Sequence, residues 1–369
     1  MSHFLSITLP ALLLAGSLLA PHPTAAPPIV INEILAHTDP PDVDSVELSN
    51  QGDVPVDLSG WLMTDSLARP QAEWVRIADG TLLDPGEFYV IADCAPGSAQ
   101  EVATGCSVWQ FGLSEAGDDV YLMQPGANGG TPAVVDHATF GVSPNGVSFG
   151  RYMDSIGNVR YPLLETVTLG APNSAPFISP VVIEEIMYHP PDGYSEYVVI
   201  ANMSTQAVAL QDGAHANNTW KLVGQDKDGD ENLLFDFPTG TVLSPGESII
   251  IAGASPSQFT SERQIPCSVR VFGPMQNALN DKRGERVALV VPQPPELDPP
   301  DTVYYAHFDD VSYLPNPPWP SASGNGFALT RIDATAYGND VANWQAAVPL
   351  AHSNRSLCLP AISNGPVQP

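Results

Sequence analysis

The stretch "VINEILAH", residues 30–37, returns as "VIEEIMYH" at residues 182–189. Glu33 thereby matches Glu185 and His37 matches His189, each 152 positions on. An acid in an apolar run closed by a histidine suggests either two active sites or the first strand of two copies of one fold. Working outward favours the fold. "SVELSN" (45–50) matches "YVVIAN" (197–202), and "VPVDL" (54–58) matches "QAVAL" (206–210), at the same offset. "GTLLDPGEFYVIAD" (80–93) then matches "GTVLSPGESIIIAG" (240–253) at an offset of 160, so the second copy carries about eight extra residues between Gln211 and Phe235. A period this long means two whole domains, because a solenoid unit is far shorter.

Each copy reads as strands. In "SVELSN", Val46 and Leu48 face one way and Glu47 and Ser49 the other, the alternation of a half-buried strand. Pro85 and Pro245 preset φ at the first central position of a turn, and Gly86 and Gly246 supply the positive φ that a type II turn needs at the second. A tight turn therefore feeds a central strand in both copies. With 38 prolines and 30 glycines spread along 369 residues, short strands joined by turns are favoured, and no convincing amphipathic helical window is found. An apolar content of 43% is enough for two cores. The expectation is an all-β chain of two tandem sandwich domains, over residues 27–176 and 177–348, with a cleavable linker at "LGAPNSAPFISP" (169–180).

The ends suggest export. An apolar run from Phe4 to Ala20 followed by Thr24, Ala25 and Ala26 predicts a signal peptide over residues 1–26. The n-region has no Lys or Arg and Pro27 disfavours cleavage after Ala26, so a retained anchor is the competing reading. No later segment is long and apolar enough to span a bilayer, and residues 349–369 form a tail. The predicted location is extracellular or at the cell surface.

Thirteen basic against 41 acidic residues give a net charge of −28, divided as −16 up to residue 176 and −12 beyond. Nucleic acid is excluded as a partner, because its affinity depends on Lys and Arg displacing counterions and no basic stripe exists. The acidity keeps an exported protein soluble and favours cationic partners.

Four cysteines fit an oxidising compartment. Cys94 and Cys106 bracket a Gly-, Ser- and Ala-containing loop that a local disulfide would close, which leaves Cys267 with Cys358. A CxxC pair is lacking, so thiol exchange and a thiolate zinc site have no support. "DKDGDE" falls in the extra residues of the second copy, where Asp226, Asp228, Asp230 and Glu231 would present oxygens to one Ca²⁺, with Gly229 allowing the bend. The alternative is a solvated acidic hairpin tip. No other cofactor is indicated.

No catalytic residue is assigned. Glu33 and Glu185 lie between isoleucines, where a carboxylate accepts strand-edge amides or pairs with a scarce Arg more readily than it acts as a base. His37 and His189 fall at the turns that follow, with no ligand partners at local spacing. H-E-x-x-H does not occur.

Taken together, "VINEILAH", "DSVELSNQGDVPVDLSGWLMTD", "DGTLLDPGEFYVIAD", "FGLSEAGDDVYLM" and "VVDHATFG" resemble the lamin tail domain. The second copy is similar but divergent: Val199 stands where the first has Glu47, and Trp220 takes the place of Trp61 after the insertion. The resemblance spans about 300 residues and extends to secreted bacterial members. It implies an immunoglobulin-like β-sandwich used as an interaction module, and no catalytic residues. The function expected is therefore a non-catalytic, secreted or surface binding or scaffolding protein whose partner is an extracellular glycan, matrix or protein. The alternatives are a secreted hydrolase with a site between the domains, or a Ca²⁺-dependent glycan-binding adhesin.

Overall fold

The computed structural model describes residues 28–39, 42–94, 106–225, 229–266, 268–295 and 302–349. The first domain runs β1 (Ile29–Leu35), β2 (Ser45–Asn50), β3 (Val56–Asp57), β4 (Leu62–Thr64), β5 (Val75–Arg76), β6 (Leu82–Leu83), β7 (Phe88–Ala92), β8 (Asp118–Gln124), β9 (Ala133–Phe140), β10 (Phe149–Gly150), β11 (Tyr152–Met153) and β12 (Val159–Arg160). The second runs β13 (Val181–Met187), β14 (Tyr197–Asn202), β15 (Val208–Ala209), β16 (Lys221–Gln225), β17 (Glu231–Asp236), β18 (Val242–Leu243), β19 (Ser248–Ala252), α1 (Pro256–Arg263), β20 (Arg270–Phe272), β21 (Glu285–Pro292), β22 (Tyr305–Tyr313), β23 (Ala328–Arg331) and β24 (Trp344–Ala347).

The two halves share one topology. Sheet β10-β1-β2-β7 faces sheet β5-β4-β8-β9 in the first; β23-β13-β14-β19, widened by β24 and β20, faces β17-β16-β21-β22 in the second. Pairing is antiparallel except for β19 with β20. These are two immunoglobulin-like sandwiches.

The register explains why the opening phrase looks apolar on both sides. β1 against β2 shifts between Ile31 and Glu33, and β13 against β14 shifts between Ile183 and Glu185. This bulge turns Ile29, Ile31 and Ile34 into the first core while Glu33 goes to the outer face, with every residue of β1 buried. The Pro-Gly turns form as expected: Glu87 N–H reaches Asp84 O and Glu247 N–H reaches Ser244 O, both at 3.0 Å, with φ at +78° and +70° on Gly86 and Gly246.

Trp220 does replace Trp61. Trp61 N–H donates to Leu58 O and Trp220 N–H to Leu210 O, each at 3.0 Å, and both rings are buried. Leu58 and Trp61 are three residues apart, whereas Leu210 and Trp220 are ten apart, so seven of the extra residues lie there. The "DKDGDE" segment is therefore not in the main insertion. It follows β16 into β17, the hairpin equivalent to β4 and β5.

The outer faces are closed differently. In the second domain α1 covers Met187, Tyr197, Val199 and Ile250 with Phe259. This short helix escapes a search for amphipathic windows; it is set by Ser255, whose hydroxyl accepts from Gln258 N–H at 3.4 Å, and by Pro256 in the first turn. In the first domain the chain after β12 closes the face. Residues expected as a free linker are thus tied down: Glu165 N–H donates to Ala175 O (3.0 Å), Phe177 N–H to Leu163 O (2.8 Å), and Phe177 packs on the first core.

Candidate functional site

Two acids lie under that closing segment. Glu33 and Glu47 are register partners, and both are fully buried. Glu33 accepts from Ser148 Oγ (2.6 Å), Thr168 N–H (2.8 Å) and Thr168 Oγ1 (2.7 Å). Glu47 accepts from Asn32 Nδ2 (2.8 Å) and from Gly170 N–H. Burial raises the Glu47 carboxyl above its ordinary range, opposed by the Gly170 amide and Asn32, with the Glu33 charge adding to the rise. In the second copy Glu185 accepts from the Tyr197 hydroxyl and from Thr330 Oγ1 (3.2 Å). The acids of the repeat therefore hold loops and hydroxyls in place and do not face an open pocket.

The repeated histidines are turn pins. His37 Nδ1 donates to Ser143 O at 2.9 Å, and His189 Nδ1 meets Ser323 Oγ at 2.7 Å. Asp281 is 3.9 Å from His189 Nε2, beyond hydrogen-bond reach, so it does not orient the ring as a triad acid would. Nearby, Asp44 accepts from Leu113 N–H (3.2 Å) and Glu196, its counterpart, from Leu279 N–H (3.1 Å). Burial lifts both carboxyls, Asp44 to about 6 and Glu196 to about 7.

A cleft of about 580 Å³ separates the sandwiches. The domains meet on either side of it. Phe308 packs on both cores, with its ring 5.3 Å from Phe177 and 6.2 Å from Trp220, edge to face. Asp340 of the second domain accepts from Tyr152 OH (3.0 Å), Ser155 N–H (3.1 Å) and Ser155 Oγ of the first. Between these contacts, His137 and Arg160 line the cleft from one domain, and Arg286, His307, Asp310 and Tyr337 from the other. Arg286 Nε donates to Asp310 at 2.8 Å, and His307 Nε2 pairs with Glu231. Asp309, also in the wall, binds Arg331 Nη1 through both oxygens (3.0 and 2.8 Å) and accepts Ile183 N–H at 2.7 Å.

None of these cleft residues is singled out by sequence reasoning. The one available signal is "HFDDVSY" (307–313), where Asp309 takes an inward position in an alternating strand and so requires a buried cation.

Of the remaining predicted residues, Cys94 and Cys106 form a disulfide. Cys267 and Cys358 lie outside the described residues, as do Asp226 and Asp228. Asp230 and Glu231 are described, and Glu231 is engaged by His307. Among the described residues no cluster of three or more His, Cys, Asp or Glu side chains is arranged to hold a metal, and no helix is long and apolar enough to cross a membrane.

The model of the family described as Lamin Tail Domain matches residues 22–141 and 175–298. No curated protein matches the chain. A solved structure of a DUF4876 family protein from Bacteroides thetaiotaomicron VPI-5482 is similar over 91% of this chain and 99% of that one, at 13% identity and a TM-score of 0.29.

Proposed function

The chain belongs to the lamin tail domain family in two tandem copies, and from this premise we propose that it is a non-catalytic binding or scaffolding protein of the cell exterior. The observation that carries the reading is the joint between the domains. Phe308 lies on both cores and Asp340 takes three hydrogen bonds from the other domain, so the pair presents one surface and one cleft. The buried acids support it, since each is occupied by amides, hydroxyls or Arg331. The Cys94–Cys106 bridge accords with an oxidising compartment.

The test uses the full oxidised chain on immobilised extracellular glycans and matrix proteins, with and without chelator, alongside chromogenic ester and glycoside substrates. Saturable binding without turnover is expected. Turnover abolished by Ser323→Ala or His307→Ala would overturn the reading and favour a hydrolase.

A further inference from the structure

In a chain of net charge −28, two of the 13 basic residues reach the same cleft from opposite domains with hydrogen-bonding capacity left over. Arg160 gives only its Nε to Asp154 (3.4 Å), and Arg286 only its Nε to Asp310 (2.8 Å). Among the described residues the terminal nitrogens of both guanidinium groups have no hydrogen-bond partner. Both line the same cleft as Tyr337, Arg160 from the first domain and Arg286 from the second.

Two carboxylates that line the cleft are already engaged. Both Asp309 oxygens bind Arg331, and Asp310 Oδ2 takes both Arg286 and Asn339 (2.9 Å). A pocket lined by two planar guanidinium forks whose terminal N–H groups are unengaged matches a ligand carrying a planar oxyanion. The remaining wall includes Phe149, Tyr161 and Phe308, a surface for the apolar face of a ring. The volume is within the range of small-ligand sites, which favour domain boundaries. Long polyanions are disfavoured, because the surrounding surface is acidic and repels each charge placed outside the cleft.

We propose that the interdomain cleft binds a short acidic saccharide, with a sugar carboxylate held between Arg160 and Arg286 and its ring on the aromatic wall. This rests on the reading of the chain as a binding protein. The probes are the disaccharides of galacturonate and of glucuronate, their neutral counterparts, and inorganic phosphate, each titrated calorimetrically into the full oxidised chain. At least one uronate is expected to bind about 10-fold tighter than its neutral form, a difference in line with one charge-assisted contact. Arg160→Gln should remove that preference while leaving the melting temperature unchanged, and Arg160→Lys should restore part of it. Arg286→Gln should act in the same direction. Failure of both uronates to bind at millimolar concentration, equal affinity for acidic and neutral sugars, an undiminished preference in Arg160→Gln, or phosphate binding as tightly as the uronate would each overturn the proposal. Glycan or matrix binding that survives Arg160→Gln would leave the binding-protein reading standing with its site elsewhere, whereas turnover would remove that reading itself.

Discussion

Asp44 and Glu196 occupy one place in two copies of one fold: 152 residues apart, each accepts the backbone N–H of the matching leucine, Leu113 at 3.2 Å and Leu279 at 3.1 Å. In both cases burial is the largest influence on the carboxyl and raises it, to about 6 for Asp44 and about 7 for Glu196. The native state thus keeps these protons over a range where the unfolded chain has lost them, between the ordinary carboxylate value and the raised one. Stability contributed by these sites is fullest at the acidic end and falls as pH rises through that range. Thermal melts from pH 5 to 8 should show Asp44→Asn flattening the decline up to about pH 6 and Glu196→Gln flattening it up to about pH 7. Variants with an unaltered pH profile would show that neither group titrates there.

The closing segment of the first domain hangs on Glu33. Glu33→Ala would leave Ser148 Oγ and both donors of Thr168 without their buried acceptor, a loss of about 3–5 kcal/mol. The expected signature is local. Brief treatment with a low-specificity protease should cut the variant between residues 166 and 176 and spare the wild type. Equal cutting of both would mean the segment is held by something else.

Removing Asp340 should uncouple the domains. Asp340→Ala deletes three contacts to Tyr152 and Ser155, and the coupling lost is about 2–3 kcal/mol. Scanning calorimetry is expected to separate one unfolding transition into two, and small-angle scattering to report a larger radius of gyration. A single unshifted transition would place the coupling on the aromatic contacts, Phe177 with Phe308 and Tyr152 with Tyr337.

The Cys94–Cys106 bridge closes a short loop beside β7. Its loss in the double variant Cys94→Ala with Cys106→Ala should destabilise the chain by about 2–3 kcal/mol through freedom returned to the unfolded state. Denaturant melts of the oxidised, reduced and doubly substituted protein check this: the last two should agree with each other and fall below the first.

The local rules of the sequence were enough for the strands and the duplication. Alternation in "SVELSN", the turn chemistry of Pro85-Gly86 and Pro245-Gly246, and the offset from 152 to 160 depend on neighbours a few residues apart, and the matching strands and turns formed, although β2 is buried on both faces where alternation predicts a half-buried strand. Even Trp220 standing for Trp61 was legible, because a large ring must fill the same place in each core. The carboxylate partners were legible only in kind. That Glu33 is buried follows from its flanking isoleucines, but its donors, Ser148 and Thr168, are 115 and 135 residues away and belong to segments without strong propensity. The segment over 169–180 reads as a linker by composition, yet two buried carboxylates demanded donors, and Glu47 took the Gly170 amide of that segment while Glu33 took the amide of Thr168 just before it. The cleft belongs wholly to tertiary structure. Arg160 and Arg286 come from different domains, and what brings them to one cleft is the docking of Phe308 on both cores together with Asp340 on Tyr152 and Ser155. Such docking depends on the shape and burial of surfaces that exist only after both sandwiches have folded, so no local pattern records it.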